Sequence, residues 1–380
     1  MSRALSAFAT AAVFGAAAAT MFNYESSVVD AQSSPRSFGE ADTSESPMAA
    51  YGLPSNVNLV RARGYISSLN HERRIPNWVM ERIPHTKPKS KKDADSAAAG
   101  DDNGGKAAVS RTESKFYSDE TVPEMFRSTN ADYNKRGLSR GHLAPAQFHK
   151  NSQEEMNETF NLSANIVPQD MTMNACDWYR LESMTKKLSK EFEKGLWVVS
   201  GPLFVPILDM KSGKNMVSYE VVGTHNVAVP THMFKCLLGV KEDNKKYLGC
   251  FVMPNEPITE EQPLTQYSVP STYVERVAGI RIFPEASRGT GWGATAPADL
   301  CRNFECKGSY AAFSKSFRQV GRVRAATTEG QVKLVYAQLY QEGSVDAAVD
   351  RELQAKLKEL GVTDAGKYQL KTTPTPSKGG

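Results

Sequence analysis

Residues 138–182 read LSRGHLAPAQFHKNSQEEMNETFNLSANIVPQDMTMNACDWYRLE, and the fold follows from how this stretch is parsed. A short run carries Arg140 and His142, a polar loop follows, and a second short run spans 161–167. From about Asn174 the pattern turns helical, with Trp178, Leu181, Leu188 and Phe192 recurring at spacings of three, seven and four. The parse is strand, loop, strand, helix, with a histidine on the first strand and an asparagine where the helix begins. Such an arrangement sets one general base against one hard metal ion.

Asn174, Trp178 and Glu182 fall at i, i+4 and i+8, so they share one side of a helix. Helical side chains lean toward the N-terminus, which lets Glu182 reach back toward Asn174. An amide oxygen is a hard, neutral ligand suited to Mg²⁺, which keeps several waters and needs few protein ligands. A carboxylate one shell out then holds and orients those waters. Each residue also has an ordinary reading. A lone strand histidine is usually structural, Asn174 by itself would be a helix cap, and Glu182 an exposed carboxylate. Their order in one stretch favours the site. Trp178 and Leu181 are expected in the core, His149 in a loop, and His232 as a satisfied core histidine. His71, His85 and His225 stand outside any constellation.

The ordered set Arg140-Gly-His-Leu-Ala-Pro-Ala146, Asn165-Ile-Val-Pro-Gln169, Asn174, Trp178 and Leu181-Glu182 resembles the DNA/RNA non-specific endonucleases of the ββα-metal fold. Within them it is most similar to the mitochondrial endonuclease-G and exonuclease-G branch. Stretches at 51–54, 74–80, 197–202, 226–230 and 254–256 extend the likeness across residues 51–285. The family's usual motif has aspartate before Arg-Gly-His, where this chain has Ser139, the variant expected of exonuclease-G-like members. What orients His142 without that aspartate is left open. One extra residue between His142 and Asn165, near Ala164, predicts a bulge in the second strand.

Composition bounds the rest. The chain has 380 residues, is 40% hydrophobic and 23% charged, and carries a net charge of +4, too small by itself to announce a nucleic-acid binder. Five cysteines without a CxxC pair argue against a structural zinc site. Cys301 and Cys306 have the option of pairing, but free buried thiols are expected. Residues 1–22 are apolar and alanine-rich and read as a targeting or membrane-anchor segment. Secretory signal, mitochondrial presequence and retained anchor all fit it; the resemblance turns the balance toward mitochondria. Residues 23–50 read as a flexible spacer, 51–290 as the nuclease-like domain, and 87–110 as a disordered insertion within it. A helix is expected at 76–83. Strand-like runs at 196–204, 216–223, 227–240 and 246–253 imply an antiparallel sheet. A Gly- and Ala-rich boundary at 285–311 precedes a C-terminal helical wing at 311–361, built from helices at 311–339 and 345–360, and a disordered tail at 367–380. The expected class is α+β, a ββα-metal nuclease fold around a central antiparallel sheet with a small C-terminal helical domain.

The resemblance implies metal-assisted hydrolysis of phosphodiester bonds, with 5′-exonuclease beside endonuclease character. His142 would be the general base, Asn174 the metal ligand and Glu182 the carboxylate ordering metal waters. Arg140 and Arg111 would clamp phosphate, and Asn165 would support the site. Mg²⁺, or Mn²⁺ in its place, is the implied cofactor. DNA, and RNA as a second candidate, are the implied partners in a homodimeric enzyme of the mitochondrial inner membrane or intermembrane space. The basic cluster Lys315, Arg318, Arg322 and Arg324 is either a solvated helix face or a DNA contact. Rival readings are a catalytically silent nucleic-acid-binding protein that keeps the fold, and a secreted scavenger nuclease.

Overall fold

The computed structural model describes residues 46–85, 109–286, 296–310 and 314–362. Segment 1–22, most of the spacer, nearly all of the insertion and the tail 367–380 lie outside them. Among the described residues no helix is long and apolar enough to cross a membrane. The last spacer residues, Pro47–Ala49, form a turn whose Pro47 carbonyl accepts Trp197 Nε1–H at 2.9 Å.

Three antiparallel strands open the fold: β1 (Leu59–Arg61), β2 (Tyr65–Asn70) and β3 (Ile75–Ile83). The helix expected at 76–83 is in fact β3. Its apolar run is continuous because both faces are covered: Trp78 and Met80 enter one core, Val79 and Ile83 the other. β4 (Leu138–His142) and β5 (Ile166–Asp170) form a separate antiparallel pair, with α1 (Gln153–Glu158) between them in sequence. Residues 161–165, expected to begin the second strand, make a turn in which Asn161 Oδ1 accepts the Ser163 and Ala164 amides at 3.0 and 3.1 Å. The turn absorbs the extra residue, so β4 and β5 pair in unbroken register and no bulge forms.

A helical stretch, α2 (171–188), leads to β6 (Gly195–Leu203) in the middle of the sheet. Two small ribbons follow, β7 (Ile207–Asp209) with β8 (Lys214–Met216), and β9 (Val221–Val222) with β10 (Val227–Ala228). Next come the long partners β11 (His232–Val240) and β12 (Lys246–Pro254). The run 227–240 is not one strand, because Pro230 has no N–H to give a ladder. β13 (Ser268–Val269) and β14 (Ala298–Asp299) both pair with β12, and α3 (Ser271–Ala278) lies between them in sequence. The main sheet runs β1-β2-β3-β6-β11-β12 and has eight strands, antiparallel except for β14.

Strict alternation sorts the two cores. On β6, Leu196 and Val198 join Trp178 and Leu181 of α2, while Trp197 and Val199 join the opposite layer. Residues 296–310, placed at a boundary by composition, supply β14 and α4 (Leu300–Asn303), whose Leu300 is buried in the α2-side core. Disulfides Cys301–Cys306 and Cys236–Cys250 replace the free thiols expected there, the second joining directly opposed residues of β11 and β12. Cys176 is the free, buried thiol.

Among the described residues three helices, not two, follow: α5 (Ser314–Ala325), α6 (Glu329–Gln341) and α7 (Ala347–Glu359). The run 311–339 breaks at Thr328, whose side chain caps α6 by accepting the Gln331 amide. Their own small core holds Val323, Val332, Leu339, Val349 and Leu357. The basic cluster on α5 is mostly consumed in docking, apart from exposed Lys315. Arg318 donates to Asp177 at 3.0 Å and Arg324 pairs with Glu352 at 3.2 Å and Asp170 at 3.6 Å, while Arg322 pairs with Glu342. Gly321 permits the approach of α5 to α2, since a Cβ there would lie 2.4 Å from Thr172 Cγ2.

Candidate active site

β4 delivers Arg140 and His142 to one cleft, and its Ser139 bonds to the Asn174 amide that lines the same cleft. Gly141 between them is dictated by packing: a Cβ would sit 2.0 Å from Gln169 Oε1 on the paired strand. Just beyond His142, the Asn165 amide grips both backbone groups of Ala144, at 2.8 and 2.9 Å, and donates to the Thr159 carbonyl at 2.7 Å. Asn165 is fully buried and does not line the cleft, so it acts as a staple behind His142.

The helix bearing the candidate metal ligand does not start at Asn174. Asp170 caps it, accepting the Thr172 and Met173 amides at 2.9 Å each. A short α turn, Met171–Met173, gives way to a π-helical turn at Asn174–Trp178 and then to regular helix at Tyr179–Leu188. Such π turns often mark functional positions. Asn174 Nδ2 donates to Ser139 Oγ at 3.0 Å, and that hydroxyl donates to the Gln169 carbonyl at 3.2 Å. A hydroxyl has one proton, so Ser139 must accept from Asn174, which fixes the amide nitrogen toward it and leaves Oδ1 for a ligand. The serine that replaces the family aspartate therefore orients the asparagine and not the histidine.

His142 is held by rings. Phe160 meets it edge-on at 4.8 Å between centroids and Phe116 lies at 5.5 Å. Its Nε2 is buried without a hydrogen-bond partner among the described residues. Burial, helped by Arg111 and His149, pulls its pKa down to about 3, so the ring is neutral at ordinary pH. Glu182 accepts Gln147 Nε2–H at 3.2 Å, and burial lifts it to about 7 although Lys235 opposes the rise. Lys235 is itself fully buried, donating to Leu143 O at 3.1 Å and to Ser200 Oγ at 2.5 Å. Arg140 Nη1 donates to Asn130 Oδ1 at 2.7 Å, and Arg111 begins a turn capped by Ser110.

Arg111, Arg140, His142, Asn174 and Glu182 thus line one cleft of about 240 Å³, and Asn165 sits behind it. Gln147, Tyr179 and Phe317 of α5 also line it, and no sequence pattern pointed to them. Lys235 had a legible signal, a lone cation in the apolar run of β11. His149 is not a loop bystander: it is buried between Glu81 at 2.9 Å and Glu155 at 3.2 Å. His225 likewise has a partner, Asp132 at 2.8 Å, and His232 opens β11 half-buried against Thr231. Among the described residues no three His, Cys, Asp or Glu side chains converge on a metal position. The donors present, a fixed amide oxygen near a carboxylate, suit a hard divalent ion that keeps most of its waters.

The sequence profile of the DNA/RNA non-specific endonucleases matches residues 44–289. The chain belongs to this family. It is 38% identical over 267 residues to Nuclease EXOG, mitochondrial, of Xenopus laevis, covering 69% of this chain and 68% of that one. The human Nuclease EXOG is 36% identical over 310 residues, covering 79% and 78%. Human Endonuclease G, mitochondrial, is 35% identical over 237 residues, covering 62% and 73%. A crystal structure of an EndoG/EndoGI complex superimposes with a TM-score of 0.55 at 34% identity, covering 63% of this chain and 90% of that one. This family member is a hydrolytic nuclease acting on phosphodiester bonds, with the ββα-metal fold, and the silent-binder reading falls away. Membership in these endonucleases also implies a divalent metal.

Proposed function

We propose that the chain is a Mg²⁺-dependent nuclease of mitochondria that cuts DNA, and RNA as a second substrate, with 5′-exonuclease and endonuclease activity. One observation carries the site assignment: His142 and Asn174, far apart in sequence, line the same cleft as two arginines and a carboxylate. His142 accepts the proton of the attacking water. Asn174 Oδ1 would hold the metal ion, and Glu182 would order water beside it. Arg140 and Arg111 engage non-bridging phosphate oxygens. The bound ion supplies Lewis-acid stabilisation of the leaving 3′ oxygen. A general base contributes on the order of 10²–10⁴ in rate, and phosphodiester hydrolysis requires far more. The arginines and the ion therefore carry most of the rate enhancement.

A homodimer is part of this reading. The β7–β8 ribbon holds Ile207, Leu208, Met210 and Met216 in solvent, Met210 at 85% exposure. Isolated two-stranded ribbons are marginal in water, and exposed apolar patches mark contact surfaces. Residues 1–22 would place the enzyme at the inner membrane or in the intermembrane space, in keeping with relatives named mitochondrial. Incubating 5′-labelled duplex and Mg²⁺ with wild type and with His142→Ala tests the site: equal cutting by both, or by neither, defeats it. Imaging of the tagged full chain tests the location, and secretion into the medium overturns it.

A further inference from the structure

The two groups assigned to the base and to the phosphate clamp share a support that those assignments leave unused. The Phe116 ring is half-buried, with its centroid 4.6 Å from the Arg140 guanidinium carbon, 5.5 Å from the His142 ring and 4.9 Å from Phe160. The backbone carbonyl of the same phenylalanine accepts Asn130 Nδ2–H at 2.9 Å, and Asn130 Oδ1 accepts from Arg140 at 2.7 Å. Phe116, Asn130 and Arg140 thus close a loop of contacts: carbonyl to amide, amide to guanidinium, guanidinium to ring. Asn130 is itself fixed. It opens a turn, Asn130–Tyr133, whose Asp132 accepts from the Thr129 backbone and hydroxyl at 2.7 and 2.9 Å and is gripped by His225 at 2.8 Å.

An arginine on an exposed strand has many rotamers, and ordering one when phosphate arrives costs conformational entropy. Two weak contacts that agree on one rotamer remove part of that cost beforehand. The same ring, with Phe160, packs against an imidazole that has no carboxylate partner among the described residues.

We propose that Phe116 and Asn130 are positioning residues that hold Arg140 aimed at the scissile phosphate, and that Phe116 couples this clamp to the general base. The proposal rests on the roles assigned above to Arg140 and His142.

Steady-state cutting of duplex DNA by the purified full chain tests it, with a thermal melt recorded for every variant. Phe116→Leu keeps apolar bulk and loses the aromatic face; it should lower kcat by about 10- to 100-fold with a smaller change in KM, and Phe116→Tyr should recover most of that loss. Asn130→Ala, at an exposed position outside both cores, should lower kcat/KM by about 5- to 10-fold in the wild-type background and by less than about twofold once Arg140→Ala is present. Wild-type kcat in Phe116→Leu, or equal Asn130→Ala losses in both backgrounds, overturns the clamp. The Asn130–Arg140 cycle is read in the same way whatever His142→Ala does, so failure of the base assignment and failure of the clamp remain separable.

Discussion

Ser139 accepts the Asn174 side-chain N–H at 3.0 Å while spending its own proton on the Gln169 carbonyl at 3.2 Å, so the Asn174 amide has one orientation. Ser139→Ala frees that amide to flip and should raise the half-saturating Mg²⁺ concentration by about 10-fold, within the usual range for partners one shell behind a ligand. Ser139→Asp offers another acceptor and should stay near wild type. A Mg²⁺ titration of activity decides, and an unchanged midpoint in Ser139→Ala refutes the orienting role.

Asn174→Ala and His142→Ala should fail differently. Both should lose on the order of 10²–10⁴ in kcat, with Asn174→Ala at least as impaired. Calorimetry separates them, because His142→Ala should still bind Mg²⁺ and Asn174→Ala should not. Equal Mg²⁺ affinity in the two variants would mean that the ligand lies elsewhere.

His149 gives a stability signature. Burial disfavours its charged ring, but hydrogen bonds with Glu155 and Glu81 outweigh burial and raise it from 6.5 to about 9. A raised pKa contributes stability that is complete below 6.5 and is lost as pH climbs through about 9. The melting temperature should therefore fall across that window in the wild type, and the gap to His149→Gln should narrow. A gap that widens toward alkaline pH contradicts the buried ion cluster.

Glu352 is the joint between the C-terminal helices and the body: it takes Arg136 at 2.7 Å and Arg324 at 3.2 Å from a nearly buried position. Glu352→Gln should cost about 1–3 kcal/mol. Chemical denaturation measures the loss, and limited proteolysis should show faster cleavage between residues 304 and 314. Unchanged proteolysis would mean that the remaining contacts, Arg318 with Asp177 and Arg324 with Asp170 among them, hold the helices without Glu352.

Cysteine pairing is checkable by mass. Denatured, unreduced protein should take up one alkyl group, at Cys176, and reduced protein five. Uptake of five without reductant would exclude both disulfides.

Much of this was legible beforehand because the chemistry sits in contiguous order. His142, Arg140, Asn174 and Glu182 are separated by a turn and a short helix that keep them together, and α2 buries Trp178 and Leu181 as its period requires. What escaped depends on distant chain. β3 resembled a helix because a strand buried on both faces has no alternation to read. Lys235 bonds to Leu143 from β11, on the far side of β6, and the backbone contacts through which Asn165 supports the site could not be read from the motif. The wing arginines read as a solvated face or a DNA contact, not as docking residues, because their acidic partners, Asp170, Asp177 and Glu352, are scattered along the chain. The π turn at Asn174–Trp178 has no spacing signature; an even helical register was assumed there and one turn is wider.

Phe317 reaches the wall of the cleft from α5, beyond residue 289, where the family match stops. A chain cut back to that match would keep every polar side chain that lines the cleft and lose Phe317 from its wall. For this chain, the span of the family match and the span of chain that builds the cleft have different lengths.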